Sequence, residues 1–197
     1  MSRKGLSLME FVVAMGIGAG IIFMVGALSG QFSGIANFVN LKLQSRQGSD
    51  HVFETMAREI RSMGPSSLGA YPIEAASSTS FIFFSDIDGD GLMERVRYFR
   101  ATTTLEKGVI KPSGNPLVYA TSTETTRVVV SDLIGSGGVF EYFDSAYTGT
   151  QSPMAPPVDA QAIRIVRASL SSDINPGSGP LPAFFSVTVN LRNLRSN

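Results

Sequence analysis

The sequence predicts an α+β protein in which a long N-terminal helix, transmembrane in its first half, packs by its second half on an antiparallel β-sheet. Three observations predict this class: an uncharged apolar stretch near the N-terminus, apolar residues at helical spacing after it, and period-two alternation in the remainder. The change of period falls at Gly64-Pro65, a pair that ends a helix. A helix with one apolar face on an antiparallel sheet is a two-layer α+β arrangement.

The first half of the predicted helix contains a stretch long enough to cross a membrane. From Phe11 to Leu28 there are eighteen residues without a charge, which is about the minimum for a transmembrane helix. A helix of a soluble protein usually keeps a polar face, and this stretch has none. We therefore predict a transmembrane segment over residues 8–28, with Arg3 and Lys4 on the cytoplasmic side of the membrane.

A cleaved secretory signal is the alternative for this stretch. Such a signal has an apolar core of about 7–15 residues followed by small residues. Ala14, Ala19 and Ala27 supply small residues, but the apolar core is too long. Neither a signal nor a plain anchor explains Glu10, because a carboxylate within a membrane span costs about 2.5–3.5 kcal/mol when it is central and less near an end. An acid in this position is therefore a functional hypothesis.

The residues around this acid, KGLSLMEF, resemble the class III leader of type IV pilins and pseudopilins. In that family a prepilin peptidase cuts a short basic leader after its terminal Gly, and the new N-terminal amine is methylated. The resemblance implies cleavage and methylation at Gly5 and Leu6, so that residues 1–5 form the leader peptide and Glu10 becomes the fifth mature residue. The usual first mature residue of the family is Phe, and Leu6 in its place implies slower processing.

Physical chemistry supplies a role for the acid in such a subunit. A carboxylate buried among filament stems needs a positive partner. The free amine of Leu6 in a neighbouring subunit is the natural partner, and the pair would set the register of one helix against the next, as a polar residue does in a coiled coil. The alternative is that Glu10 lies at the level of the lipid headgroups and has no partner subunit.

The resemblance implies a minor pilin or J-type pseudopilin, which is a structural subunit and not an enzyme. Such a subunit assembles into, or primes, a type IV pilus or a type II secretion pseudopilus. Its partners would be other pilin or pseudopilin subunits, the prepilin peptidase, the inner-membrane assembly platform and, before assembly, membrane lipid. It would be a single-pass inner-membrane protein with a periplasmic C-terminal head, which later enters the pilus or pseudopilus and can reach the cell surface.

The second half of the predicted helix is amphipathic. Its apolar side chains fall on one face at spacings of three and four, namely Val52, Phe53, Met56, Ile60 and Met63. We predict one helix over residues 6–63, with a bend near Gly30–Gly34 or Gly48. A β-rich head over residues 64–197 follows the helix.

Alternating apolar and polar residues predict the strands of the head. The candidates are SFIFFS (80–85), RVRYFR (95–100), RVVVSDL (127–133), VFEYFD (139–144), AIRIVRASL (162–170) and the stretch from Phe185 to Leu191. The last two are predicted to form a hairpin across the loop NPGSGP (175–180). This ending also resembles the C-terminal hairpin of minor pilins and J-type pseudopilins.

An acidic loop, DIDGDGLME, lies between two of these strand candidates. Calcium prefers six to eight oxygens from flexible carboxylates and carbonyls. Its candidate ligands here are Asp86, Asp88, Asp90, Glu94 and the carbonyl of Leu92. The loop is not an EF-hand, because the twelfth position is Arg97 and the flanking elements are strands. The alternative is a hairpin loop whose acids and glycines serve the turn alone.

Composition limits the classes of function that remain. The 197 residues carry 16 basic and 16 acidic side chains, so no basic surface for nucleic acid is evident. One histidine and no cysteine disfavour catalytic triads and zinc sites. The alternative to the filament subunit is a single-pass, membrane-anchored periplasmic binding or calcium-binding protein. Ca²⁺ is the one cofactor that the sequence suggests.

Overall fold

The computed structural model describes residues 8–173 and 182–191, with the backbone alone described for residues 28–49. Within these ranges the α+β class is confirmed. The elements are α1 (Leu8–Arg61), β1 (Ile73–Ala76), β2 (Ser80–Ser85), β3 (Glu94–Ala101), β4 (Thr104–Ile110), a 3-10 turn (Thr121–Thr123), β5 (Thr125–Val130), β6 (Phe140–Phe143), β7 (Ile165–Ser172) and β8 (Ala183–Asn190). Backbone contacts divide the chain into two compact units, with the division between Arg46 and Gln47.

The first unit contains an apolar helical segment that can cross a membrane. Among the residues that the structure describes, one segment meets the length and composition for a span, Leu8–Ala27, with a mean hydropathy of 2.2. None of it is buried within the protein. Side chains such as Phe23, which is 80% exposed, therefore depend on something outside this chain for an apolar environment. The segment is compatible with a membrane anchor or a signal sequence.

The second unit includes the last turns of α1, which bury one face. Phe53, Met56, Ala57 and Ile60 are buried there, and Met63 is buried just after the helix. The Phe, Met and Ile side chains among these each contribute about 1.5–3 kcal/mol when fully removed from water. The predicted apolar face is confirmed, with Val52 at its half-buried margin. Helix α1 continues without a break in its backbone assignment through Gly30, Gly34 and Gly48.

The described strands form two sheets, so the prediction of one antiparallel sheet is wrong. The larger sheet has the order β1-β2-β3-β4-β5, and the smaller has the order β6-β7-β8, with all neighbours antiparallel. Strand β5 ends at Val130, and Asp132 has a left-handed φ of 58°, which interrupts the extended backbone before β6.

Both sheets and the end of α1 share one core. The ring of Phe53 on α1 stacks on Phe185 of β8 at 6.0 Å between centroids. The ring of Phe81 on β2 lies 6.0 Å from Phe140 and 5.5 Å from Tyr142, both on β6. The last turns of α1 contact both sheets, through Phe53 on β8 and Glu59 on Tyr98 of β3, and aromatic residues lie between the two sheets.

The strand predictions differ from the structure mainly at their ends. The segment 80–85 is β2, and the segment 95–100 lies within β3. Strand β7 begins at Ile165 rather than 162 because a turn precedes it, in which Ala162 N–H donates to the Asp159 carbonyl (3.1 Å). The predicted β7–β8 hairpin pairing is confirmed from Ile165↔Asn190 to Ser172↔Ala183. Its predicted loop at 175–180 lies outside the described residues.

Two strands, β1 and β4, were not predicted from the sequence. Strand β4, TLEKGVI, contains Lys107 and Gly108 where a strand pattern would have apolar residues, yet Lys107 is buried. Strand β1, IEAA, has four residues and no clear alternation. Both are held by pairing with a stronger neighbour, β3 and β2 respectively, which local sequence cannot show.

Candidate functional site

The acidic loop connects β2 to β3 and is closed by bonds to one carboxylate. Gly89 N–H donates to Asp86 Oδ1 (2.7 Å) and Gly91 N–H donates to Asp86 Oδ2 (3.0 Å). Both glycines have left-handed φ angles, 79° and 85°, which other residues adopt only with strain. The chain therefore wraps around Asp86.

The next two acids lie on the solvent side of the loop and contact a lysine. The ammonium of Lys111 lies 2.7 Å from Asp88 Oδ2 and also contacts Asp90 Oδ2. These hydrogen bonds raise the pKa of Lys111, and the bond from Lys111 is the main reason that the pKa of Asp90 is lowered. Because Lys111 and both acids are exposed, solvent screens these ion pairs.

Glu94 is different from the other acids because it is buried. It is the first residue of β3, it is 2% exposed, and its Oε2 accepts a hydrogen bond from Ile87 N–H (2.9 Å). Its Oε1 has no hydrogen-bond partner in the structure. Burial raises the pKa of Glu94, the Ile87 bond opposes this, and the nearby charges of Asp88 and Asp90 reinforce it.

Three of the predicted ligands come together. Oxygens of Asp86, Asp88 and Glu94 all lie within 4.8 Å of one another, so they can hold one metal ion. Asp90 is outside this group and faces Lys111. Leu92 is positioned by its N–H, which donates to Asp90 Oδ1 (2.8 Å), and a ligand role for its carbonyl stays a prediction.

The contact of Lys111 with the acidic loop was not predicted, because strand β4 was not predicted. The lysine directly follows β4, and the pair Arg95↔Ile110 places the end of that strand beside the start of β3. A predicted pairing of β4 with β3 would have placed Lys111 near the acidic loop. The missed signal was therefore a strand pairing and not a motif.

A second polar cluster, also missed, lies in the core. Glu59 on α1 is 7% exposed and Lys107 on β4 is 3% exposed, and Glu59 Oε1 lies 2.6 Å from Lys107 Nζ. The hydroxyl of Tyr98 donates to Glu59 Oε2 (2.8 Å). Burial and the Glu59 charge raise the pKa of Tyr98, so it stays a protonated donor. The cluster joins the helix to the larger sheet. Tyr98 also lines an open surface pocket together with His51, Arg58 and Arg127.

The predicted N-terminal site is described only in part. Gly5 and Leu6 lie outside the described residues. Glu10 lies in the first turn of α1 and is exposed, next to Phe11, which is 60% exposed. The acid is thus part of the same unburied surface as the apolar segment.

No model of a known protein family matches the chain, and no curated protein matches it.

Proposed function

We propose that this protein is a minor pilin or pseudopilin, a structural subunit that assembles into or primes a type IV pilus or a type II secretion pseudopilus. The observation that carries the proposal is the exposed apolar helix with Glu10 in its first turn, preceded by the basic, Gly-ended KG leader. A filament subunit needs each of these features, and an ordinary anchor needs only the apolar helix.

The exposed apolar surface supports a role in both membrane and filament. Soluble monomers rarely expose contiguous apolar patches larger than a few hundred Å², and every side chain from Leu8 to Ala27 lies outside a core. Lipid covers such a surface before assembly, and other stems cover it afterwards. Gly16, Gly18 and Gly20 support close packing of stems, because nothing lies within 4 Å of the position of a Cβ on any of them.

The composition of the mature chain fits a structural role. Loss of the leader removes Arg3 and Lys4 and leaves 14 basic against 16 acidic residues. The polar clusters formed by the described residues include the buried Glu59–Lys107 pair and the acidic loop. The proposed role is structural rather than enzymatic, as the resemblance to pilins and pseudopilins implies.

Processing of the N-terminus tests the proposal. The full chain is co-expressed with a prepilin peptidase, and the mature protein is analysed by intact-mass and N-terminal peptide mass spectrometry. We expect a chain that begins at methylated Leu6. A Gly5→Val variant should stay uncut. Gly137→Val is the matched control and should be cut normally, because it lies outside the leader and nothing lies within 4 Å of a Cβ at that position. An intact Met1 or a cut after Ala27 would contradict the proposal.

A membrane-anchored periplasmic binding protein is the second candidate. The observation that favours it is the group formed by Asp86, Asp88 and Glu94, which a filament subunit does not need. The same mass measurement separates the two candidates, since a binding protein has no need of an N-terminus at Leu6. A secretion assay in a deletion strain, with immunogold labelling of sheared filaments, then separates a pilus role from a type II secretion role.

A further inference from the structure

We propose that the β2–β3 loop binds one calcium ion through Asp86, Asp88 and Glu94, and that Lys111 is a built-in competitor for that ion. This inference does not depend on filament assembly. It rests on the unpartnered buried oxygen of Glu94, on the distances within the carboxylate group, and on the position of the lysine.

The buried carboxylate of Glu94 supports the presence of a bound cation. Oε1 of Glu94 is buried without a hydrogen-bond partner, while Oε2 of the same carboxylate accepts the Ile87 N–H (2.9 Å). Buried polar atoms are nearly always hydrogen-bonded or bound to an ion. A turn chosen for its own geometry would use the exposed acids and would not need a buried one. A cation between Glu94, Asp86 and Asp88 satisfies the remaining oxygen.

The distances and the ligand type are compatible with calcium. Calcium binds oxygens at about 2.3–2.6 Å, so two ligands on opposite sides of it are about 4.6–5.2 Å apart. The three carboxylates lie within 4.8 Å of one another, so all can reach one calcium ion with little movement. Magnesium binds at about 2.0–2.1 Å and releases its waters reluctantly. The ligands are all oxygens, and the chain has no cysteine, which disfavours softer metals.

The lysine sets the strength of binding. Lys111 Nζ lies 2.7 Å from Asp88 Oδ2 and also contacts Asp90 Oδ2, so it neutralises part of the charge on both acids. Its ammonium lies on the exposed side of the loop, whereas Glu94 lies on the buried side. An incoming calcium ion is repelled by Lys111 and must share Asp88 with it. Removal of the lysine charge should therefore tighten binding.

The test uses the full chain in a non-ionic detergent after removal of metal with a chelator. Terbium replaces calcium and is excited through tyrosine, since the chain has no tryptophan. Tyr119 is a suitable reporter, because its hydroxyl donates to the Met93 carbonyl at the end of the loop (2.6 Å). We expect saturable terbium emission, displaced by calcium with one site and less effectively by magnesium. Calcium at one hundred times its Kd should raise the Tm by about 5 °C.

Three variants make the test specific. Glu94→Gln should weaken calcium displacement at least tenfold. Lys111→Met should strengthen it roughly three- to tenfold, the size expected for a unit charge about 6 Å from a divalent ion in a water-like medium. Asp144→Asn is the matched control, because Asp144 accepts Ala146 N–H (2.9 Å) in another exposed turn, and it should bind as wild type.

Two results would overturn the proposal. One is the absence of displacement by about 10 mM calcium, far above the range of most protein sites. The other is unchanged binding in Glu94→Gln. If near-ultraviolet circular dichroism shows that Glu94→Gln is unfolded, Asp88→Asn at an exposed position takes its place, and unchanged binding in that variant would also overturn the proposal.

Discussion

At the scale of single residues, the buried ion pair is the most consequential feature of the core. Lys107 Nζ donates a charge-assisted hydrogen bond of 2.6 Å to Glu59 Oε1, and the Tyr98 hydroxyl donates to Glu59 Oε2. Desolvation of two charges offsets most of their attraction, so such a pair adds little net stability. Its loss on one side alone leaves a buried charge without a partner. The pair therefore specifies how α1 lies on β3 and β4 more than it stabilises the fold.

We expect Lys107→Met to lower the free energy of unfolding by about 3–5 kcal/mol, because Glu59 then stays buried without its cation. The triple variant Lys107→Met, Glu59→Met and Tyr98→Phe should recover most of that loss, since it removes all three polar groups together. Glu54→Gln on the exposed face of α1 is the control and should change stability by less than about 0.5 kcal/mol. Denaturant unfolding followed by tyrosine fluorescence measures all three. A triple variant as unstable as the single would show that packing, and not charge, dominates here.

At the scale of elements, the two sheets are joined where the chain enters β6. The carbonyl of Ser78 accepts hydrogen bonds from Val139 N–H (2.7 Å) and Phe140 N–H (2.9 Å), which ties the β1–β2 turn to the smaller sheet. Gly138 passes so close that a Cβ there would lie 2.6 Å from Ser78 Cβ and 2.9 Å from its carbonyl oxygen. A side chain at this position would push the sheets apart.

Gly138→Ala should therefore destabilise the protein by about 1–3 kcal/mol, the usual cost of overpacking. Gly137→Ala is the matched control, because nothing lies within 4 Å of a Cβ at that neighbouring position. Thermal unfolding monitored by near-ultraviolet circular dichroism gives both values under one set of conditions. Equal Tm values for the two variants would mean that the Ser78 contact yields without cost.

At the scale of the whole molecule, the chain combines a self-contained β-rich unit with an apolar helical segment that has no core of its own. The core cluster draws its buried residues from Phe53 to Leu191, whereas Leu8–Ala27 is unburied throughout. Such a division is expected of a subunit whose N-terminal segment packs against lipid or other copies. The proposed assembly contact of Glu10 belongs to this scale, because its partner is the amine of another subunit.

Glu10→Gln should lose most of its ability to compete with wild type for entry into filaments, since it removes the charge that attracts the neighbouring N-terminal amine. Tagged variant and wild-type chains are co-expressed, and their ratio is measured in sheared filaments and in total membranes. Glu54→Gln serves as the charge-matched control and should enter normally. Equal incorporation of the Glu10 variant would exclude the proposed contact.

Much of the helix and most strands were predictable because their signals are local. The face of Phe53, Met56 and Ile60 follows from helical spacing, and β2 and β3 follow from alternation. Strand β4 was not predictable in this way, because its buried Lys107 is tolerated only through Glu59 on α1. Within the candidate site, the sequence showed which residues are acids. It did not show that Glu94 joins Asp86 and Asp88 in one group, or that Asp90 instead pairs with Lys111.

By itself, the sequence determined the α+β class, the apolar N-terminal segment, the amphipathic end of α1 and the acids of the β2–β3 loop. All of these depend on periodicity, length or turn chemistry within one stretch of chain. Only the tertiary structure decided that there are two sheets, that Glu59 and Lys107 form a buried pair, and that Glu94 is enclosed with one oxygen unpartnered. The physical reason is that burial and partnership are set by residues distant in sequence, which meet only when the core closes.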